Sequence, residues 1–431
     1  MSESAAADPG SRNAKSLPGI DYETFLSCVH CGLCTASCPT YKETLDENDS
    51  PRGRIYLMRA VADQRVSLTQ AIQHHLELCL DCRACETACP SGVEYGKLIE
   101  PFRNRQFEVP RDFFHRQILW KLFPDARRLE RALIPARWAS RLGMMWLIRA
   151  TGLWKLLPAK WGRMVTLLPP LRAVPPLPGR LPAEGTRRAT VALFVGCVAN
   201  AMFRHVHWAT ARVLQANGCD VVIPPDQACC GAIDFHSGRD EPARDLADRN
   251  LAALDRSDVD AIVVNVAGCG AMMKEYGQHW PDDRQPARVA FASKVRDVHE
   301  FLDELGWEAE LGELAIRATY HDACHLAHAQ GIRDAPRRLL EQIPGLRLVP
   351  LDESDTCCGA AGTYNLVQTE MADRLAARKL RNILRTGART VVSANAGCTL
   401  QILRESRLQG TRLDVVHPME LLDRSIAAAS R

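Results

Sequence analysis

Two runs of cysteine with the same spacing carry the clearest chemistry in the sequence. Each run has four cysteines, at intervals of three, three and four positions, and ends in Cys-Pro. The runs are Cys28-x-x-Cys31-x-x-Cys34-x-x-x-Cys38-Pro39 and Cys79-x-x-Cys82-x-x-Cys85-x-x-x-Cys89-Pro90. Three thiolates at this interval curl the backbone around one iron–sulfur cube, and the proline ends the turn. The spacing therefore predicts two 4Fe–4S clusters.

In this type of run, the fourth cysteine binds the cluster that the other run holds. The expected ligand sets are Cys28, Cys31, Cys34 and Cys89 for one cluster, and Cys79, Cys82, Cys85 and Cys38 for the other. Zinc is the main alternative, because paired C-x-x-C units also form four-cysteine zinc sites. Such sites need two pairs rather than two quartets that each end in Cys-Pro, so the spacing favours iron–sulfur clusters.

A second group of cysteines occurs twice in the carboxyl-terminal half of the chain. The first copy has Gly196-Cys197, Cys229-Cys230-Gly231 and Ala267-Gly268-Cys269, and the second has Ala323-Cys324, Cys357-Cys358-Gly359 and Ala396-Gly397-Cys398. The two copies are offset by 127 to 129 residues, and both end in a similar Asp-Val-His or Val-Val-His segment. A repeat of this length indicates a duplicated domain rather than a solenoid.

Short apolar runs precede these cysteines and alternate with long helical stretches, which predicts a parallel α/β sheet in each copy. Because ligand sites gather at the carboxyl ends of such strands, each copy should form one four-thiolate metal site. The sites are Cys197, Cys229, Cys230 and Cys269 in the first copy, and Cys324, Cys357, Cys358 and Cys398 in the second. The alternative is that these cysteines are small buried hydrophobic residues.

Four histidines lie beside the repeated cysteines, and we interpret them as structural rather than as ligands, which is the commoner role of single histidines. They are His299, His321, His325 and His417. Cys219 falls outside the repeat and receives no role.

The elements that must position the amino-terminal quartets are helices. Between Pro39 and Leu78, apolar residues recur at helical spacing after a turn at residues 50–53. Arg52 and Arg54 in this turn either begin a solvated helix or compensate the negative charge of the clusters.

Residues 110–180 are basic and rich in tryptophan. They contain 14 lysines or arginines against three acids, and five of the eight tryptophans, which are Trp120, Trp138, Trp146, Trp154 and Trp161. This composition suits helices that lie on anionic lipid or dock on a membrane-bound partner. An ordinary helical domain packed on the cluster domain is the alternative. A proline-rich run over residues 169–179 predicts a stiff linker.

Composition excludes several classes of protein. The chain has 431 residues, 46% hydrophobic and 24% charged, with a net charge of +3, so there is no global bias toward nucleic acid. We expect a disordered leader over 1–20, a two-cluster domain over 21–109, the tryptophan-rich segment and linker over 110–187, and repeated domains over 188–310 and 311–431. No export signal and no membrane-spanning run are evident, so we expect a cytoplasmic chain with at most peripheral membrane contact.

The cysteine repeat resembles the cysteine-rich (CCG) domain, which occurs in pairs in heterodisulfide reductases and in iron–sulfur subunits of respiratory flavoenzymes. With the amino-terminal quartets, residues 20–425 resemble the iron–sulfur subunits of glycolate oxidases. Segments that carry this resemblance are Ser50-Pro-Arg-Gly-Arg-Ile, His321-Asp-Ala-Cys-His325 and Asp355-Thr-Cys-Cys-Gly-Ala-Ala-Gly-Thr-Tyr364-Asn. The resemblance implies an α/β protein, with an α-helical ferredoxin-like domain that has two cluster loops, followed by two repeated α/β CCG domains.

The resemblance also implies a function. Partner subunits that bind FAD would oxidise glycolate to glyoxylate, and this chain would pass electrons toward quinone or another respiratory acceptor at the cytoplasmic face of the inner membrane. The sequence has no G-x-G-x-x-G after a strand, no recognisable nucleophile elbow and no zinc-protease helix, so no catalytic residue is assigned to this chain.

Three alternatives remain at this point. The chain could serve a D-lactate or glycerol-3-phosphate dehydrogenase, since the flavin partner decides the substrate. It could be a heterodisulfide or thiol reductase subunit, although Met272 and Gln401 replace the last cysteine of the C-x-x-C pair of that family. It could also be a zinc scaffold without redox activity.

Overall fold

The computed structural model describes residues 20–171 and 173–430. The predicted leader lies outside the described residues except for Ile20, which is buried in a hydrophobic core. The chain forms two compact units. One contains the described residues up to Asp81 together with Cys85–Phe107, and the other contains Cys82–Ala84 and the chain from Glu108 onward.

The amino-terminal region to Phe107 is helical among the described residues. Its α-helices are Tyr22–Leu26, Pro39–Thr44, Pro51–Ala62, Gln70–Glu77, Ala84–Thr87 and Gly96–Gln106, with 3-10 turns at Leu33–Ser37 and Glu47–Asp49. The helices predicted between the two cysteine runs are therefore confirmed.

The helix Pro51–Ala62 shows how the sequence fixes one of these elements. The Ser50 hydroxyl accepts the backbone N–H of Gly53 at 3.0 Å, and Pro51 occupies the first turn, where no intrahelical donor is needed. At Gly53, a Cβ atom would lie 1.9 Å from the Glu47 carbonyl oxygen. The close approach of these two backbones therefore requires glycine.

The tryptophan-rich segment forms a series of short helices within the second unit. They are Phe114–Leu122 (a π-helix), Ala126–Ala132, Ile134–Arg141, Met144–Ala150, the 3-10 turn Leu153–Leu156, and Ala159–Leu167. The last helix packs on Ala396–Leu408 of the repeat, where Arg404 donates to the Thr166 hydroxyl at 3.0 Å. One side of this segment is thus attached to the repeated domains.

Each copy of the repeat contains a sheet. The first has strand order β1-β3-β2-β4-β5 and the second β7-β6-β8-β9. The strands are β1 (Arg180–Leu181), β2 (Ala189–Phe194), β3 (Cys219–Val222), β4 (Ala261–Val264), β5 (Val295–Asp297), β6 (Arg317–His321), β7 (Arg347–Val349), β8 (Thr390–Ser393) and β9 (Asp414–Val416). All pairings are parallel except β1 with β3. The α/β fold class is confirmed, and β1 adds an antiparallel edge strand at the end of the predicted linker.

Helices connect these strands. In the first copy they are Val198–Met202, Arg204–Ala216, Ala232–Phe235, Asp240–Leu254, Ala267–Lys274, Tyr276–His279, Gln285–Lys294 and Val298–Leu305. In the second they are His325–Ala329 (a π-helix), Ala335–Glu341, Tyr364–Val367, Thr369–Arg385, Ala396–Leu408 and Pro418–Ala429. Val298–Leu305 and Pro418–Ala429 both begin with a capping box, from Asp297 with Glu300 and from His417 with Glu420.

The two copies share one hydrophobic core. Val191 and Leu193 of β2 and Val392 of β8 belong to the same buried cluster, together with Leu421 and Leu422 of the last helix. The helix Arg204–Ala216 of the first copy packs against the last helix, and Arg212 pairs there with Asp423. The duplication therefore builds one compact body.

Candidate metal centres

The thiols of Cys28, Cys31, Cys34 and Cys89 come together in the amino-terminal region. The negative charges of Cys89 and Cys31 act on the Cys28 thiol, and that of Cys28 acts on Cys34. Burial raises the pKa of Cys34 to about 11. Cys31 is exposed, and the other three are half-buried. The fourth cysteine of the second run thus lies near Cys28 of the first run, while Cys34 is also affected by Cys38 of its own run.

A second set of thiols is more deeply buried than the first. Cys38, Cys79 and Cys82 are buried and Cys85 is half-buried. The Thr40 hydroxyl lies 3.2 Å from the Cys38 sulfur, and the Tyr95 hydroxyl donates to the Cys79 sulfur at 3.6 Å. The backbone N–H of Asp81 also donates to Cys79, at 3.4 Å. These donors point at sulfur, as the thiolate ligands of an anionic cluster require.

Arg54 is the cation of this second set. Its side chain is 1% exposed, donates to the Thr40 hydroxyl at 3.0 Å, and has a terminal nitrogen 3.9 Å from the Cys38 sulfur. Burial disfavours the charged form, but the negative charges of Cys79, Tyr95, Cys38 and Asp49 outweigh it and raise the pKa of Arg54. Of the two sequence interpretations, the solvated helix start is wrong for Arg54. Arg52 is a third exposed and pairs with Glu47.

In the first copy of the repeat, four thiols follow the ends of three adjacent strands. Cys197 follows β2, Cys229 and Cys230 lie in the loop after β3, and Cys269 lies in the first turn of the helix after β4. The sulfurs of Cys197 and Cys229 are 3.2 Å apart, and Cys230 contacts Cys269. The hydrogen bond with Cys229, together with burial, raises the pKa of Cys197.

The second copy brings its cysteines together in the same way. Cys324 contacts Cys357, which contacts Cys358, which in turn contacts Cys398. The Asn395 side chain donates to the Cys398 sulfur at 3.3 Å. All four thiols are buried, so an ion held there would be shielded from water.

The loop that carries each cysteine pair is anchored by a buried side chain from the following helix. In the first copy, Asn250 donates to the Cys229 carbonyl at 2.9 Å, and Tyr276 donates to the Cys230 carbonyl at 2.8 Å. In the second copy, the ammonium of Lys379 donates to the carbonyls of Glu353 and Ser354. Lys379 and Tyr95 were not singled out from the sequence, because a lysine in an amphipathic helix and a lone tyrosine normally face solvent or pack without a specific role.

Of the histidines beside the repeat, His299, His321 and His417 are buried, and His325 is half-buried. His299 pairs with Asp297 at 2.6 Å and stacks on His417, which contacts the Asn265 carbonyl at 3.0 Å. His325 lies 3.5 Å from the Cys324 sulfur. Burial lowers the pKa of His321 to about 3, so its imidazole is neutral at physiological pH.

The cysteines are chemically suited to metal. All 17 lie in the described ranges, and none of them forms a disulfide. Sixteen of them make up the four groups above, and the last, Cys219, lies alone in the hydrophobic core, where burial raises its pKa to about 12. Clustered thiols with donors and cations aimed at them fit iron–sulfur or other thiophilic metal centres.

Positions 272 and 401 carry no ligand thiol. Met272 is buried among the apolar residues of the first copy. The Gln401 side chain accepts from Asn365 at 3.0 Å and donates to the Ala372 carbonyl at 3.1 Å. Both residues serve packing at the place where a reductase of the heterodisulfide type has a cysteine.

No helix within residues 20–171 and 173–430 has the length and apolarity needed to cross a membrane.

Three family models match the chain. The cysteine-rich domain matches residues 191–274 and 318–403, and the 4Fe-4S dicluster domain matches residues 24–93. The linker region of the glycolate oxidase iron–sulfur subunit matches residues 110–168. The dicluster and cysteine-rich matches support iron–sulfur clusters as cofactors.

Curated proteins similar to the chain agree with these matches. The probable glycolate oxidase iron–sulfur subunit of Bacillus subtilis is 37% identical, over 94% of both chains. The glycolate oxidase iron–sulfur subunit of Escherichia coli is 34% identical, over 93% of this chain and 94% of that one. The lactate utilization protein A of an Exiguobacterium strain is 31% identical, over 56% of this chain and 99% of its own length.

Proposed function

The chain belongs to the family of glycolate oxidase iron–sulfur subunits, and we propose that it is the electron-transfer subunit of a membrane-associated glycolate oxidase complex. An FAD-binding partner oxidises glycolate to glyoxylate, and this chain conducts the electrons toward quinone. The observations that support the proposal most are that Cys89 acts on Cys28, and that Cys38 and Cys79, one from each cysteine run, both act on the buried Arg54.

The residues of this chain hold and tune two clusters. Cys28, Cys31, Cys34 and Cys89 bind one of them, and Cys38, Cys79, Cys82 and Cys85 bind the other. A 4Fe–4S cluster, when bound, takes up and releases one electron at a time. Arg54 compensates the negative charge of the second thiolate set, and Thr40 and Tyr95 hydrogen-bond to its sulfurs.

The flavin subunit docks at the loop of the first thiolate set. Cys31 is exposed, and the neighbouring side chains of Val29 and Leu33 are 67% and 60% exposed. Apolar side chains around an accessible ligand suit a partner that must approach closely enough for electron transfer. Three of the four thiols in the second set are buried, so this set is better shielded from adventitious oxidants.

The tryptophan-rich segment makes the peripheral contact with the cytoplasmic face of the inner membrane. One side of it packs on the repeat, and the other exposes Trp138, Leu142, Trp146 and Leu156 by 59%, 71%, 73% and 82%. Arg141 lies over the Trp138 ring and Lys155 lies near the Trp154 ring. Exposed aromatic and aliphatic side chains among lysines and arginines match the interface of an anionic bilayer.

D-lactate is a second candidate substrate for the complex, because the chain is also similar to a lactate utilization protein. The substrate is oxidised on the flavin partner, so the residues of this chain are compatible with either one. A thiol reductase role is disfavoured by the burial of Met272 and Gln401 in place of further thiolates.

Reconstitution with FAD-binding glycolate oxidase subunits tests the proposal. We expect the complex to reduce a dye with glycolate as electron donor, and to reduce it more slowly with D-lactate. Cys28→Ala should abolish this reaction while glycolate still reduces the flavin. Cys219→Ala is the matched control, because it removes a buried thiol that lies outside all four groups.

Two results would overturn the proposal. One is failure of the chain to copurify with any flavin subunit. The other is glycolate-dependent dye reduction that Cys28→Ala leaves at the wild-type rate.

A further inference from the structure

His321 ends strand β6 with its imidazole directed at the cysteines of the second copy. The side chain is completely buried. A ring nitrogen of His321 and the sulfurs of Cys358 and Cys398 all lie within 4.8 Å of one another. Three ligand-type atoms at this separation can bind one metal ion or neighbouring atoms of one small cluster.

The two ring nitrogens of His321 have different surroundings. Nδ1 lies 3.1 Å from the Ser354 carbonyl oxygen, to which it can only donate a hydrogen bond. Nε2 then carries the lone pair, and it has no hydrogen-bond partner among the residues that the structure describes. Metal-binding histidines are held in this way, with one nitrogen donating to a carbonyl and the other directed at the metal. An unpartnered buried nitrogen is otherwise costly.

We propose that His321 Nε2 is a ligand of the metal centre in the second copy, so that this centre has a mixed imidazole and thiolate ligand set that includes Cys358 and Cys398. The inference rests on the part of the proposed function that assigns metal to the repeated cysteines. Iron and zinc are the metals concerned, because both bind imidazole and thiolate together.

In the described part of the first copy, the position equivalent to His321 carries no histidine. The repeat offset of 127 residues at this strand places Phe194 where the second copy has His321. Phe194 ends strand β2 as His321 ends β6, and its side chain belongs to the apolar core around Cys197, Cys229 and Cys230. The ligand set of the first copy is therefore thiolate alone, and the two copies hold chemically different sites.

The charge around the second site differs as well. Gly231 of the first copy packs against Ala243, and Gly359 of the second copy packs against Ala372. Ala243 and Ala372 therefore occupy equivalent positions, so the helices that contain them, Asp240–Leu254 and Thr369–Arg385, are related by an offset of 129 residues. At this offset, Lys379 is the counterpart of Asn250. Lys379 is 2% exposed, and its ammonium interacts with the charges of Cys357, Cys358 and Cys398. The buried Lys379 cation balances the negative charge of these thiolates, whereas the neutral imidazole of His321 does not. A buried site for a charged metal centre needs such a counter-charge.

The test uses the full-length chain, purified without oxygen from cells grown on ¹⁵N-histidine or on unlabelled histidine. Iron, sulfide and zinc are counted in the wild type and in Cys358→Ala, so that the difference gives the metal of the second site. Nitrogen bound to that metal is then detected by pulsed EPR for a paramagnetic iron centre, or by X-ray absorption at the zinc edge for zinc.

We expect a histidine nitrogen coupled to the metal in the wild type, and loss of that signal in His321→Phe, which gives the second copy the residue of the first. His328→Gln is the matched control, because the His328 side chain is only 3% exposed in the same copy and its two ring nitrogens contact the Asp355 carbonyl and Arg333. It should keep the signal.

A sulfur-only metal environment in the wild type would overturn the inference, and this measurement does not depend on the folding of any variant. Equal metal in the wild type and Cys358→Ala would overturn it too. The EPR signals of the amino-terminal clusters are scored separately, since their absence would contradict the proposed function rather than the role of His321.

Discussion

The glycine of each Cys-Cys-Gly motif occupies a backbone conformation that other residues adopt only with strain. Gly231 and Gly359 have φ angles of +87° and +86°. A Cβ atom at Gly359 would lie 2.7 Å from the Ala372 carbonyl oxygen and 3.1 Å from the Ala372 Cα. The glycine therefore lets the cysteine loop pack directly on the following helix. In this way the motif positions its two thiols.

We predict that Gly359→Ala destabilises the protein by about 3 kcal/mol, because it combines a left-handed backbone with a contact that rigid backbone atoms cannot relieve. Gly410→Ala is the control, since its φ is +68° but nothing lies within 4 Å of the added Cβ. That change should cost about 1 kcal/mol. Chemical unfolding of both variants measures the difference, and equal costs would contradict the packing argument.

Arg54 is expected to set the reduction potential of the cluster that Cys38 and Cys79 bind. A buried cation stabilises the reduced, more negative state. Arg54→Gln should therefore lower the midpoint potential of this cluster by on the order of tens of millivolts. An EPR-monitored redox titration measures the shift. Arg59→Gln removes an arginine of the same helix that is about a third exposed, and it should leave the potential nearly unchanged. An equal shift in both variants would rule out the role of Arg54.

The helices of the tryptophan-rich segment do not bury their apolar side chains as the helices of a normal core do. The helices Ile134–Arg141 and Met144–Ala150 pack on each other, yet each leaves a tryptophan more than half exposed. Leu129 and Leu133, just before them, are buried against Ala201 of the repeat. The segment thus has one packed side and one unpaired apolar side, a combination that favours an interfacial surface over an ordinary domain.

We predict that the wild type cosediments with vesicles that contain anionic phosphatidylglycerol, and binds weakly to neutral phosphatidylcholine vesicles. Replacing Trp138 and Trp146 together by serine should weaken anionic binding by about tenfold or more, because two large apolar side chains leave the interface. Val289→Ser is the control, since Val289 is 53% exposed but lies outside the segment. Unchanged vesicle binding by the double variant would contradict membrane contact through these tryptophans and would favour a protein partner for this surface.

At the scale of the whole molecule, the duplicated copies meet around buried histidines. A cavity of about 170 Å³ lies between them, lined by His207, Asn265 and His417 among other residues. The Asn265 amide lies 3.1 Å from Nδ1 of His207, and burial lowers the pKa of His207 to about 4. The folded protein therefore holds a buried, neutral imidazole beside this cavity.

Acid should destabilise the protein through this group. The unfolded chain binds the His207 proton near pH 6.5 and the folded chain only near pH 4, so between these values the unfolded state takes up more protons. From pH 7.5 to 5.5, His207 should account for a loss of about 1.3 kcal/mol in unfolding free energy. His207→Gln should remove that part of the pH dependence in urea unfolding followed by tryptophan fluorescence. His74→Gln, which changes an exposed histidine, should leave the pH dependence unchanged. If the unfolding free energies of the wild type and His207→Gln fall in parallel with pH, the assignment of this pH dependence to His207 is wrong.

Much of the fold could be predicted from the sequence, since its strongest signals are local. The short apolar runs before the repeated cysteines predicted parallel strands, and the helical spacing between Pro39 and Leu78 predicted helices. The turn expected at residues 50–53 was wrong, because the helix Pro51–Ala62 begins inside it. The two residues of β1 carry no periodicity, and only pairing with β3 makes them a strand. The burial of Arg54 could not be predicted either, because it depends on side chains that are distant in sequence, including Cys79 and Tyr95.

The candidate sites also combine features that local sequence predicts with features that depend on residues distant in sequence. The spacing of the cysteines predicted which thiols belong together, and the assignment of metal to them stays a prediction. The difference between the two copies was less visible. His321 stands next to a recognisable motif, but the separate surroundings of its two nitrogens and the buried charge of Lys379 emerge only when β6, the cysteine loop and the helix Thr369–Arg385 are packed together.

Metal analysis of the anaerobically purified chain is the decisive measurement of whether the two cysteine runs bind two 4Fe–4S clusters crosswise. If they do, each chain should contain at least about eight iron and eight sulfide atoms. Two reduced-state EPR signals should also be present, one of them altered by Cys89→Ala and the other by Cys38→Ala. Zinc without iron or sulfide, or cysteine variants that keep both EPR signals unchanged, would rule out this arrangement.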